Sequence, residues 1–61
     1  MPKKIKGVES RIMDSAKIIF RENGYVKSEI KQIASHSGVA VGTIYNYWPS
    51  KKKLFFDVSA E

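Results

Sequence analysis

Residues 33–51 read IASHSGVAVGTIYNYWPSK, and this stretch decides the fold. Upstream Ile30, with Ile33 and Ala34, recurs at helical intervals and marks one buried face. Ala34 is small enough to let a following helix cross close to it. Gly38 stands where the first helix of the stretch should stop, since a glycine just past a helix end adopts the left-handed conformation that closes the last turn. Val39 begins a second apolar set that Ile44 and Trp48 continue. Between those anchors Val41, Gly42, Thr43, Tyr45, Asn46 and Tyr47 spread around a short helix, so several must face outward. An outward face of Thr, Asn and two Tyr, without Glu or Lys, is unusual for a helix that is merely solvated. Two short helices joined by a tight glycine turn are the build of a helix-turn-helix, whose second helix enters the DNA major groove.

Charge supports the same reading. No acidic residue occurs between Glu29 and Asp57, which suits a surface that must lie against phosphates. The 61 residues carry a formal net charge of +5, which favours a polyanionic partner. That length sets a ceiling of one small, marginally stable domain. The chain has no cysteine, so disulfides and thiolate metal sites are excluded, and this fits a reducing cytoplasm. No apolar run is long enough to span a bilayer, and the lysines near the N-terminus have no apolar segment behind them, so no secretory signal is read.

Outward from the central stretch the elements follow in order. Residues 1–7 read as a flexible basic arm with Lys3, Lys4 and Lys6, either a solubilising tail or an arm for the minor groove. Residues 8–23 carry Val8, Ile12, Met13, Ala16, Ile19 and Phe20 at helical spacing, with charged residues opposite. Gly24 ends that helix, and Tyr25 is expected to fold back on the core. Ser28 is predicted to cap a second helix that runs to residue 37 and points its positive N-terminus outward. The third helix spans about 40–47, and Pro49 cannot continue it. Ser50 caps a fourth helix from residue 51 to the chain end, with Leu54, Phe55 and Val58 as its stripe and Phe56 off it. The expected class is therefore all-α: a three-helix helix-turn-helix domain over residues 8–61 that includes the start of a fourth helix.

On these residues the chain resembles the DNA-binding domain of the TetR family of bacterial transcriptional regulators. The resemblance is carried by Ala16, Phe20, Gly24-Tyr25, Ser28, Ile33-Ala34, Gly38-Val39, Gly42-Thr43-Ile44-Tyr45, Trp48 and Ser50-Lys51, in unbroken register from Arg11 to Phe55. Three features depart from the family pattern. Glu29 replaces a small hydroxyl residue and so removes a phosphate donor. Trp48 stands where Phe is common, and Lys52 and Lys53 occupy positions that often hold an acid. The resemblance implies a ligand-responsive repressor that binds a palindromic operator in double-stranded DNA. It also implies a homodimer and a small-molecule effector, both through a larger helical domain absent from this chain. The chain reads as either an excised fragment or a truncated relative, and the end at Glu61, inside a predicted helix, favours a fragment.

The contacts divide by chemistry, since phosphate contacts position a protein and base contacts specify sequence. Tyr45 and Tyr47 have hydroxyls suited to phosphate oxygens, although each could instead be a half-buried core aromatic, with both roles expected of Tyr45. Ser28 is assigned to DNA as the cap of a helix N-terminus that can face a phosphate. Thr43 can bond a phosphate or touch a thymine methyl. Gly42 allows close approach of the backbone, at about 1 kcal/mol of helix stability relative to alanine. Val41, Asn46 and Lys31 are the base-reading candidates, and a solvated surface lysine is the plain alternative for Lys31. Trp48 is expected to be a core anchor whose indole N–H finds a partner. The resemblance assigns Lys51 to a phosphate. Lys51, Lys52 and Lys53 open the fourth helix with the wrong sign for its dipole, at about 0.3–1 kcal/mol each, a cost that a neighbouring phosphate would reverse.

Enzymatic chemistry has no support. His36 is alone and cannot build a metal site or a Ser/His/Asp arrangement. The four glycines are scattered and form no phosphate loop. No cofactor is expected. A competing reading is a small basic helical module for protein or membrane contact, using Tyr47, Trp48 and Phe56 as anchors. The third helix has no basic residue, which disfavours it.

Overall fold

The computed structural model describes residues 7–60. Those residues are all-α, with α1 Val8–Lys27, α2 Ile30–Ser37, α3 Val41–Tyr47 and α4 Lys51–Ser59. Of the predicted basic arm, residues 1–6 lie outside the described residues.

α1 forms because Ile12, Ala16 and Phe20 fall every fourth residue, and all three are buried. Its axis breaks at Gly24, where φ is 82° and ψ 164°. Only glycine adopts that backbone without strain. The sequence predicts that the helix ends here. The chain instead resumes one more helical turn, and the Ser28 N–H closes it on the Gly24 and Tyr25 carbonyls at 3.1 and 3.3 Å. Tyr25 folds back as expected and stacks on Phe20 at 6.1 Å. Phe55 meets both rings edge-on, at 5.0 and 4.9 Å.

That extra turn displaces the next cap. Ser28 ends α1, and the N-cap of α2 is Glu29. Glu29 and Gln32 form a capping box, in which the Glu29 N–H donates to Gln32 Oε1 at 2.9 Å. α2 buries Ile30, Ile33 and Ala34. Gly38 closes it in the left-handed region, at φ 78° and ψ 26°. The Val39 N–H reaches the Ala34 carbonyl at 3.0 Å and the Gly38 N–H the Ser35 carbonyl at 3.3 Å, a Schellman closure.

α3 has seven residues and buries only Ile44. Two turns are too few to persist by themselves in water, so packing holds this helix in place. α4 begins as predicted: Ser50 Oγ accepts the Lys53 N–H at 3.2 Å. Leu54 is its fully buried residue, whereas Phe55 lies at the edge of the core and Phe56 is exposed. α1 is the common wall against which α2, α4 and α3 all pack. The core comprises Ile12, Ala16, Phe20, Ile30, Ile33, Ala34, Ile44, Trp48 and Leu54.

Three serines are buried, and each hydroxyl has a partner. Ser15 Oγ lies 2.9 Å from His36 Nδ1, and Ser37 Oγ donates to the Ile33 carbonyl at 2.8 Å. Ser28 Oγ donates to the carbonyls of Gly24 at 2.7 Å and Ile19 at 3.1 Å.

Candidate nucleic-acid interface

α3 shows the side chains that its sequence could not bury. Ile44 points into the core, which turns the rest of the helix outward. Val41, Gly42, Tyr45, Asn46 and Tyr47 are exposed, and Thr43 is half-buried. Tyr45 and Tyr47 keep 48% and 46% of their surface, so each ring is supported on one side and its hydroxyl can reach a partner on the other. Gly42 lies on this face, and a Cβ added to it would meet nothing within 4 Å. The helix surface is therefore lowest at that residue.

The start of α2 and the start of α4 flank this face. An open recess joins the three elements, lined by Ser28, Glu29, Ile30, Lys31, Val41, Tyr45 and Lys51. Lys31 is exposed there, on the first turn of α2. Of the nine residues assigned to DNA from the sequence, Ser28, Lys31, Val41, Tyr45 and Lys51 thus border one recess. Gly42, Thr43, Asn46 and Tyr47 continue from it along α3.

Two of the nine are placed differently from the expectation. Ser28 is fully buried, and its hydroxyl is taken up by the carbonyls of Gly24, at the break in α1, and Ile19. It does not cap α2; its hydroxyl bonds the turn that ends α1. Lys51 is half-buried. Its Nζ donates to the carbonyls of Tyr25 and Ser28, both at 2.9 Å, and more weakly to that of Val26 at 3.5 Å. The same ammonium lies 4.4 Å from the centre of the Tyr25 ring. An ammonium has three N–H donors. The ammonium sits against the carbonyls at the end of α1, where the helix dipole also favours a cation. Lys51, the lysine that the family resemblance gives to phosphate, ties the end of α1 to the start of α4 within the fold.

Sequence reasoning misses two residues. Glu29 enters it only as a lost donor, yet it lines the recess and starts α2. The Glu-x-x-Gln spacing to Gln32 is the signal that could have found it. Asp57 reads from sequence as a surface charge. Its Oδ2 accepts the Trp48 indole N–H at 2.8 Å, and its Oδ1 lies 3.6 Å from Lys53 Nζ. Trp48 itself is buried, as an anchor should be.

Residues 12–58 match the sequence pattern of bacterial regulatory proteins of the tetR family. The chain belongs to that family. Over 84% of its length it is 39% identical to the fatty acid metabolism regulator protein of Bacillus subtilis, covering 26% of that relative. It is 41% identical over 72% of its length to the HTH-type transcriptional repressor KstR of Mycobacterium tuberculosis, covering 20% of it. It is 36% identical over 74% of its length to the HTH-type transcriptional regulator UidR of Escherichia coli K12, covering 23% of it. The chain therefore spans about a quarter of the length of these curated relatives. No solved structure matches it. Membership in the tetR family associates the chain with transcription regulation. No helix among the described residues is long and apolar enough to cross a membrane.

Proposed function

We propose that this domain binds double-stranded DNA sequence-specifically by laying α3 in the major groove, as the DNA-binding part of a ligand-responsive repressor. The observation that carries the reading is the exposed face of α3. It holds hydroxyl, amide and small side chains with no charge on the helix itself, beside the exposed Lys31. A net charge of +5 supplies the long-range attraction. In this reading Tyr45, Tyr47 and Thr43 contact phosphates and Gly42 permits close approach. Asn46, Val41 and Lys31 read base edges, since Asn pairs with adenine and Val packs on a thymine methyl. Lys51 and Ser28 serve by holding the start of α4 and the end of α1 that border the recess.

A homodimer on a palindromic operator, and an effector that releases it, belong to the whole protein and are proposed from the family. Selection of bound sites from random duplexes, using the full-length protein, tests the reading. Enrichment of a palindrome is the expected result. Equal retention of all duplexes at physiological salt would overturn specific recognition. The membrane alternative gains nothing from the exposed α3 face, which has no basic residue to pair with anionic lipid.

A further inference from the structure

α3 is a short rod with one deep fixing point. Ile44 is its buried residue, and a rod fixed at one point can pivot about it. The second fixing point lies just past its end. Trp48 keeps 4% of its surface exposed, and its backbone N–H closes the last turn on the Ile44 carbonyl at 2.9 Å. Pro49 follows and has no N–H to offer. The indole has a single donor, and it is given to Asp57 Oδ2 on α4 at 2.8 Å. α3 packs mainly on α2 and α1, so this bond is its specific tie to α4. Tyr47, a proposed DNA contact, leans on the same indole with ring centres 5.7 Å apart. The ion pair between Asp57 and Lys53 is half-exposed and therefore weak, so it is the indole bond that gives Asp57 its role.

We propose that Asp57 is a positioning residue for α3: through the Trp48 indole it fixes the angle at which the helix meets DNA. The DNA part of this inference rests on the function proposed above. A mis-angled helix loses base contacts first, because phosphate attraction is tolerant of geometry.

The test uses this chain with Asp57→Ala and Asp57→Asn, each alone and combined with Trp48→Phe, below the melting temperature of every variant. Without DNA, the indole N–H resonance and the amide exchange of residues 45–48 are read by NMR. Asp57→Ala should shift the resonance and speed exchange about tenfold, the equivalent of one charge-assisted hydrogen bond. Asp57→Asn keeps an acceptor oxygen and should restore both. In the Trp48→Phe background Asp57→Ala should change nothing further, because the partner is gone. With DNA, Asp57→Ala should lower affinity for a selected site about tenfold while random duplex stays within about twofold. Unchanged exchange in Asp57→Ala would overturn the proposal, as would the same loss in the Trp48→Phe background or an equal fall on both duplexes. If the unmodified chain binds neither duplex, the DNA reading fails, and the exchange data still decide the role of Asp57.

Discussion

One ammonium at Lys51 gathers the carbonyls of Tyr25, Val26 and Ser28 and covers the Tyr25 ring. Its removal should therefore be felt without DNA. Lys51→Ala is expected to destabilise the domain by about 1.5–3 kcal/mol, the range for hydrogen bonds to a charged group, read as a fall in melting temperature. Because the charge faces inward, the salt slope of DNA binding should stay the same. A slope shallower by about one unit would instead mark Lys51 as a phosphate ligand. Ser28→Ala should cost about 1 kcal/mol by the same melting assay, since its hydroxyl bonds the turn and not a partner. At Ser28 the sequence misleads about the cap, and at Lys51 it leaves a contact inside the fold unannounced. A serine before a helical pattern has the chemistry of an N-cap, and a lysine after Ser50 has that of a phosphate ligand. The resumed helical turn after Gly24 moves the end of α1 to Ser28, which takes the cap from it, and places carbonyls in reach of Lys51. No local pattern announces that turn. Gly38, Ser50 and Trp48 are legible because their roles depend on neighbours within a few residues, or on bulk alone.

Among the elements, α2 and α3 differ in what their glycines do. Gly38 has φ 78° and ends α2. An alanine there must hold a left-handed backbone, so Gly38→Ala should cost about 1–2 kcal/mol. Gly42 is helical, and an added Cβ meets nothing within 4 Å. Gly42→Ala should stabilise the domain by up to about 1 kcal/mol through helix propensity, and should weaken DNA binding if the backbone approaches the duplex there. Melting curves and a DNA titration on the same two variants check the pair. A Gly42→Ala variant that is more stable and binds DNA unchanged would remove Gly42 from the interface. Helix existence and order are readable throughout, since the apolar spacing of Ile12, Ala16, Phe20, Ile30, Ile33, Ile44 and Leu54 fixes which faces pack. The Trp48–Asp57 bond is not, because nothing in a spacing of nine residues tells a surface acid on α4 that its partner lies at the end of α3.

The described residues are arranged around α1, which α2, α3 and α4 all touch. A peptide of residues 28–50 carries the helix-turn-helix without that wall, and should show no stable helix by circular dichroism. Under the proposed function one copy presents one recognition helix and would read one half-site. A covalently linked pair on a palindrome should therefore bind far more tightly than this chain, and equal affinity at matched salt would count against two-fold recognition. The division of burial across the helices has a thermodynamic consequence. α3 hides a single side chain, so it should sit at the low end of the local opening free energies, where ligand-binding segments are commonly found. Anything that binds only the closed form adds to its stability by mass action. The amides of α3 should thus be the ones whose solvent protection rises most when DNA is added, and the operator would complete the folding of the helix that reads it.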